Sequence, residues 1–114
     1  MAKKSVCYRA FRSKDKGIFF EETPSYMEVV TDNEGNEFNI HIHKVGDEWS
    51  ATEESTGLRC VRGTYRTRKE CEAEIQAVKH LYYKTTRLGE APQYAQKLKK
   101  FKAIVDKYES EGER

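Results

Sequence analysis

The feature that most constrains the fold is a change of hydrophobic period beyond the middle of the chain. From Phe38 to His43, apolar and polar side chains alternate strictly, which is typical of a half-buried β-strand. After Thr67, apolar residues recur every three or four positions, which is typical of amphipathic helices. The sequence therefore predicts an α+β fold, in which an antiparallel β-meander of four to five strands precedes two C-terminal amphipathic helices.

The sheet half is expected to cover about residues 5–62. Val6 to Arg12 and Tyr26 to Thr31 have the β-branched and aromatic content of strands. Pro24 is expected to end the apolar run before it, because proline cannot continue a hydrogen-bonded ladder. Short turns at Gly35, Gly46 and Gly57 then require antiparallel neighbours, the last strand being Leu58 to Arg62.

The helical half is expected to cover about residues 67–109. Thr67 and Glu70 have the spacing of a capping box at the start of the first helix. Gly89 is expected to end that helix, and Pro92 suits the first turn of the second. The tail from Glu109 to Arg114 is expected to fray. The predicted apolar stripes are Cys71, Ile75, Val78 and Tyr82 on the first helix and Tyr94, Leu98, Phe101, Val105 and Tyr108 on the second.

The length of 114 residues fits a single domain, residues 1–114. Of the 21 Lys/Arg and 19 Asp/Glu residues, the part after residue 66 holds eleven basic against eight acidic, and the part before holds ten against eleven. This mild basic excess permits nucleic-acid contact but is weaker than the charge expected of a dedicated nucleic-acid binder. Which face of the sheet the helices cover, and the oligomeric state, remain open.

The three cysteines have no C-x-x-C spacing and cannot all pair within one chain, which favours a reducing compartment. No stretch approaches the roughly 20 apolar residues that a membrane-spanning helix needs. Cys60 and Cys71 match apolar positions, so core packing is expected for both. The sequence therefore predicts a cytoplasmic protein with no membrane partner.

The basic residues of the helical half are the strongest candidates for contact with a partner. Lysine neutralises phosphate without sequence preference, so this half is also a candidate for nucleic-acid binding. No helix-turn-helix, zinc-finger or RNP-like pattern accompanies the charges, and a solvated helix face is the alternative. The candidate residues are Arg66, Arg68, Lys69, Lys97, Lys99, Lys100 and Lys102.

His41 and His43 are two positions apart on a predicted strand, so both point to the same face. A zinc site needs three or four ligands, and Cys7, Cys60 and His80 lack the spacing to complete one. We expect no metal and no cofactor. The two histidines are expected to face solvent on the sheet, where they are candidates for contact with a protein partner.

No pattern in the chain has the form of a catalytic site. The acidic pairs, such as Glu21-Glu22 and Glu53-Glu54, fall at predicted turns or strand ends, where solvated carboxylates are expected. General acid–base chemistry needs surroundings that shift a pKa, and no sequence feature indicates one. The protein is therefore not expected to be an enzyme.

The run from Trp49 to Glu74 contains the turn ESTG and the helix start GTYRTRKE. In this it resembles small uncharacterised accessory proteins of phages and mobile elements in low-GC Gram-positive bacteria. The resemblance covers about a quarter of the chain. It implies an accessory protein that modulates a host system, such as a defence complex, and it transfers no functional residue. The function expected from the sequence is non-enzymatic docking on a protein partner, with non-specific nucleic-acid binding as the alternative.

Overall fold

The computed structural model of the chain describes residues 3–15, 17–79 and 91–112. Its strands form one antiparallel sheet in the order β1-β2-β3-β4, and both helices follow the sheet in the chain. The predicted α+β meander with two C-terminal helices is therefore confirmed. The elements are β1 (Lys3–Ser13), β2 (Gly17–Thr31), β3 (Glu37–Val45), β4 (Glu48–Glu53), α1 (Arg68–Val78) and α2 (Ala91–Gly112).

The prediction that Pro24 ends a strand is wrong. β2 runs through Pro24, which lies opposite Val6 of β1. Pairing of β2 with β3 begins only at Tyr26, so Pro24 has no ladder partner on that side. Proline is tolerated in such a position because its missing N–H is not needed there.

The chain after β4 lies beside β4 without forming the predicted strand from Leu58 to Arg62. The N–H of Glu53 donates to the carbonyl of Leu58 at 2.9 Å, and the N–H of Cys60 donates to that of Ala51 at 3.0 Å. A single bridge joins Thr52 to Arg59. The chain pairs with β4 again just before α1, where Trp49 and Tyr65 exchange backbone hydrogen bonds of 2.7 and 2.8 Å.

The sheet curls until its first strand meets the turn after its last. The N–H of Ala10 in β1 donates to the carbonyl of Gly57 at 2.7 Å. A cavity of about 50 Å³ is lined by Arg9 of β1, His43 of β3 and Thr52 of β4, although β1 and β4 are not neighbours in the sheet. One face of the sheet therefore wraps around an interior of its own.

The main apolar core lies between α1 and the other face of the sheet. Thr67 caps α1, its hydroxyl accepting from the N–H of Glu70 at 3.1 Å, as the capping box predicts. Trp49 and Tyr65 pack against the core as partly buried residues. Its buried members are Val30, Phe38, Ile40, Ile42, Ala51, Cys60, Val61, Cys71, Ile75 and Val78.

α2 packs on β1 and β2 through the first half of its predicted stripe. Tyr94 and Leu98 are buried, Phe101 is half-buried, and Tyr108 is 75% exposed. The helix extends to Gly112, and the fraying expected of the tail stays a prediction. His80, Tyr82 and Gly89 fall outside the described residues. No helix in the described ranges has the length and apolar character to cross a membrane.

Candidate partner-binding surface

Three of the candidate lysines lie on the exposed side of α2. Lys97, Lys99 and Lys100 are exposed, whereas Lys102 is half-buried. The Lys102 ammonium lies 5.4 Å from the centre of the Tyr8 ring, a cation–π contact that helps to hold α2 on β1. Lys97, Lys99 and Lys100 are therefore the members of this group best placed to meet a partner.

The candidate basic residues at the start of α1 lie elsewhere. Arg66 and Lys69 are exposed. The Arg68 guanidinium is 4.0 Å from the centre of the Tyr26 ring, and its Nε donates to Glu72 at 3.1 Å. α1 packs mainly on β3 and β4, whereas α2 packs mainly on β1 and β2. The two basic groups therefore belong to different halves of the sheet.

A shallow groove lies between α2 and the hairpin formed by β1 and β2. Its volume is about 300 Å³, and we call it the α2 groove. The rings of Phe20 and Phe101 form its floor with their centres 5.8 Å apart. Exposed Phe19 and Ile104, at 39% and 57%, form its apolar edges. The described residues that line it are Ile18, Phe19, Phe20, Lys97, Lys100, Phe101 and Ile104, with no carboxylate among them.

The aromatic surface continues from the α2 groove along the hairpin. Phe11 of β1 stacks on Phe19 of β2 with ring centres 5.5 Å apart. The Arg9 guanidinium lies 4.9 Å from the centre of the Phe11 ring. Aromatic and arginine side chains contribute much of the binding energy at many protein interfaces.

Phe19 and Ile104 were not among the residues that the sequence indicated. Phe19 belongs to the short run Ile18-Phe19-Phe20, in which alternation sends Phe20 into contact with α2 and leaves Phe19 at the surface. Ile104 lies beside the predicted stripe of α2. An apolar residue beside the main apolar stripe of a helix makes that stripe wider. A stripe wider than the sheet can cover indicates an exposed apolar surface.

The expectation that His41 and His43 face solvent is wrong. Their side chains are 0% and 2% exposed, and they alternate with Ile40 and Ile42, which are also buried. From Ile40 to His43, β3 is buried on both faces because the sheet curls over its polar side. Neither histidine therefore presents an exposed side chain on the surface of the sheet.

His43 is held as a neutral ring. Its Nδ1 lies 3.2 Å from the Lys44 carbonyl, which only accepts, so Nδ1 carries the proton. Its Nε2 then accepts from the Thr52 hydroxyl at 2.8 Å. Burial lowers the pKa of His43 from 6.5 to about 4.

His41 joins a chain of hydrogen bonds from the interior to the surface. Its Nε2 donates to Glu54 at 3.1 Å, so its Nδ1 accepts from the Ser25 hydroxyl at 2.8 Å. Burial lowers the pKa of His41, although Glu54 opposes this effect. The order serine, histidine and carboxylate also activates nucleophiles in hydrolases, but here Ser25 is only 6% exposed.

The three cysteines are buried. No disulfide links Cys7, Cys60 and Cys71. Burial raises the pKa of Cys7 to about 11 and that of Cys71 to about 12, so both remain protonated thiols at neutral pH. Among the described residues, no group of three or more His, Cys, Asp or Glu side chains is placed to hold a metal ion.

Comparison with protein-family models, with curated proteins and with solved structures gives no match for this chain.

Proposed function

We propose that this protein is a non-enzymatic binding module that docks on a protein partner through the α2 groove. The observation that carries the proposal is the apolar rim of Phe19 and Ile104, which stands exposed beside a packed aromatic floor. Exposed apolar patches framed by polar residues are common at protein interfaces. The role agrees with the accessory function that the resemblance to phage and mobile-element proteins implies.

The charges at the α2 groove select the chemistry of the partner. Lys97 and Lys100 line it, and the described lining residues include no carboxylate. A partner segment that offers apolar side chains to the floor and acidic side chains to these lysines is complementary to the groove. We therefore propose an acidic, amphipathic segment as the docked element.

Affinity capture from a bacterial lysate with three forms of the protein tests this proposal. The wild type is compared with a Phe19→Ser/Ile104→Ser double variant and with Val29→Ser, which alters a side chain that is 55% exposed on another part of β2. We expect the wild type and Val29→Ser to retain the same partner in stoichiometric amount. Retention by the double variant should fall at least tenfold, because the apolar anchors of an interface supply most of its binding energy.

The charge of the docked segment is tested in the same assay. Replacing Lys97 and Lys100 with glutamine should weaken capture, and the effect should shrink as salt is raised. Equal retention by the wild type and the double serine variant, or no stoichiometric partner for any form, would contradict docking through the α2 groove.

Non-specific nucleic-acid binding is the second candidate function. The stacked pair of Phe11 and Phe19 beside exposed lysines of α2 favours it, because single strands bind to stacking platforms within basic surfaces. Fluorescence anisotropy of a labelled single-stranded oligonucleotide across a salt series tests this function. Replacing Lys97, Lys99 and Lys100 with glutamine should reduce the slope of log affinity against log salt by about 2, since each single-strand phosphate contact contributes about 0.7. Affinity that does not depend on salt would exclude this function.

A further inference from the structure

A second and larger cavity opens where β2 and β3 diverge. Pairing between these strands ends at Tyr26 and Ile42. Beyond that point β2 stays with β1, and β3 stays with β4 as far as Val45. The cavity between them has a volume of about 590 Å³, and we call it the β2–β3 cavity. Sites for small molecules commonly have volumes of roughly 300–1,000 Å³.

Aromatic side chains form one wall of the β2–β3 cavity. The rings of Tyr26 and Trp49 lie with their centres 6.4 Å apart and tilted by 42°. Trp49 is also partly packed against the core, and Ile42 at the cavity is fully buried. The core therefore holds this wall in place, and the wall offers flat apolar surface to a ring.

The charge at this cavity is positive. Lys4 and Lys44 line it and are both exposed, and its described lining residues include neither aspartate nor glutamate. Neither lysine forms an ion pair with a described residue. The Lys44 ammonium lies 4.8 Å from the centre of the Trp49 ring, so a cation stands directly beside the aromatic wall.

The inner end of the cavity is polar and neutral. Ser25 and His43 reach it, and both are buried. Each nitrogen of His43 already has a hydrogen-bond partner, and the Ser25 hydroxyl is engaged with His41. The two lysines are therefore the charged groups that the described lining residues present to a ligand.

We propose that the β2–β3 cavity binds a small aromatic carboxylate. The ring lies against Trp49 and Tyr26, and the carboxylate pairs with Lys4 and Lys44. The two lysines are the reason for assigning a negatively charged ligand, because the aromatic wall by itself would bind a neutral ring equally well. The β2–β3 cavity shares no lining residue with the α2 groove. The proposed ligand site is therefore independent of the proposed docking function.

Titration with 2-naphthoate tests this site. Trp49 is the single tryptophan of the chain, so its indole N–H gives one recognisable signal in a ¹H–¹⁵N correlation spectrum. We expect that signal to shift saturably with 2-naphthoate. Neutral 2-naphthamide should bind about tenfold more weakly, because it has the same rings without the charge.

Matched variants separate the charge effect from general binding. Replacing Lys4 and Lys44 with methionine should weaken 2-naphthoate binding about tenfold and leave 2-naphthamide unchanged, while Lys99→Met on exposed α2 should change neither. No shift of the Trp49 signal at millimolar 2-naphthoate would overturn the proposal. Equal affinities for acid and amide would also overturn it, as would an identical shift with inorganic phosphate alone, which would indicate a simple anion site.

Discussion

At the residue scale, Gly57 links the two edges of the curled sheet. Its φ of +72° is in the left-handed region that favours glycine. A Cβ at this position would lie 2.5 Å from the Tyr8 carbonyl oxygen and 2.8 Å from the Phe20 ring. The buried Glu53 carboxylate supports the same turn, accepting from the N–H and the hydroxyl of Ser55 at 2.6 Å each. The position therefore requires both the conformation and the small size of glycine.

Gly57→Ala should destabilise the protein much more than Gly46→Ala. Gly46 has a similar φ of +63°, but nothing lies within 4 Å of a Cβ built there. The strain of a left-handed alanine should cost about 1 kcal/mol at both sites, and the clash at Gly57 should add about 2 kcal/mol or more. Urea unfolding monitored by Trp49 fluorescence measures both losses. Similar losses at the two sites would mean that the turn moves freely away from β1.

At the element scale, α2 divides into a packed half and an exposed half. Leu98 is 2% exposed, and the Tyr94 hydroxyl accepts a hydrogen bond from Nη2 of Arg12 at 2.7 Å. Ile104 and Tyr108, further along, are 57% and 75% exposed. The apolar pattern of the helix continues past the sheet that covers it. An exposed apolar surface therefore begins where intramolecular packing ends, and this is the surface on which we propose that a partner docks.

Leu98→Ala should lower the free energy of unfolding by about 2–5 kcal/mol, because it removes buried methyl groups and leaves a cavity. Ile104→Ala, a substitution of similar size in the same helix, should cost less than about 1 kcal/mol, because its side chain is largely in solvent. Chemical denaturation of both variants measures the difference. Comparable losses would show that Ile104 is needed for folding and would weaken its assignment to a docking surface.

At the scale of the whole molecule, the sheet has an apolar layer on one face and a polar layer on the other. The apolar layer packs under α1, and the polar layer is enclosed by the curl of the sheet. Every buried side-chain N or O atom of the described residues has a hydrogen-bond partner. Such a layer is stable only while its histidines stay neutral, because a buried charge without a partner is strongly unfavourable.

The stability of the protein should therefore fall as pH decreases from 6.5 toward 4.5. In this window unfolded chains protonate His43, whereas the folded protein, with the pKa of His43 at about 4, does not. Unfolding then takes up a proton, and stability falls by up to about 1.4 kcal/mol per pH unit for one such group. The lowered pKa of His41 acts in the same direction.

Thermal unfolding of the wild type and of His43→Asn across this window tests the assignment. Asparagine keeps a donor near the Lys44 carbonyl but does not titrate. The variant is expected to be less stable at pH 7 and to depend less on pH between 6.5 and 4.5. An unchanged pH dependence in the variant would place the titrating group elsewhere.

The sequence by itself determined the order of the elements, because local periodicity, turn residues and the Thr67 cap act over a few positions. It also placed Cys60, Cys71 and Ile75 in the core, since each lies at an apolar position of its element. Only the tertiary structure determined what each face of those elements packs against. Alternation marked His41 and His43 as belonging to a polar face but cannot indicate whether that face meets water or the other side of a curled sheet.

The same limit applies to the two proposed binding sites. Lys97, Lys99 and Lys100 were found from charge alone, whereas Phe19 and Ile104 became candidates only when the packing of α2 on the sheet left them exposed. The β2–β3 cavity depends on where two strands separate, and pairing registers are set by contacts between residues distant in the chain. Local patterns therefore specify elements, while surfaces and cavities arise from how far those elements extend past one another.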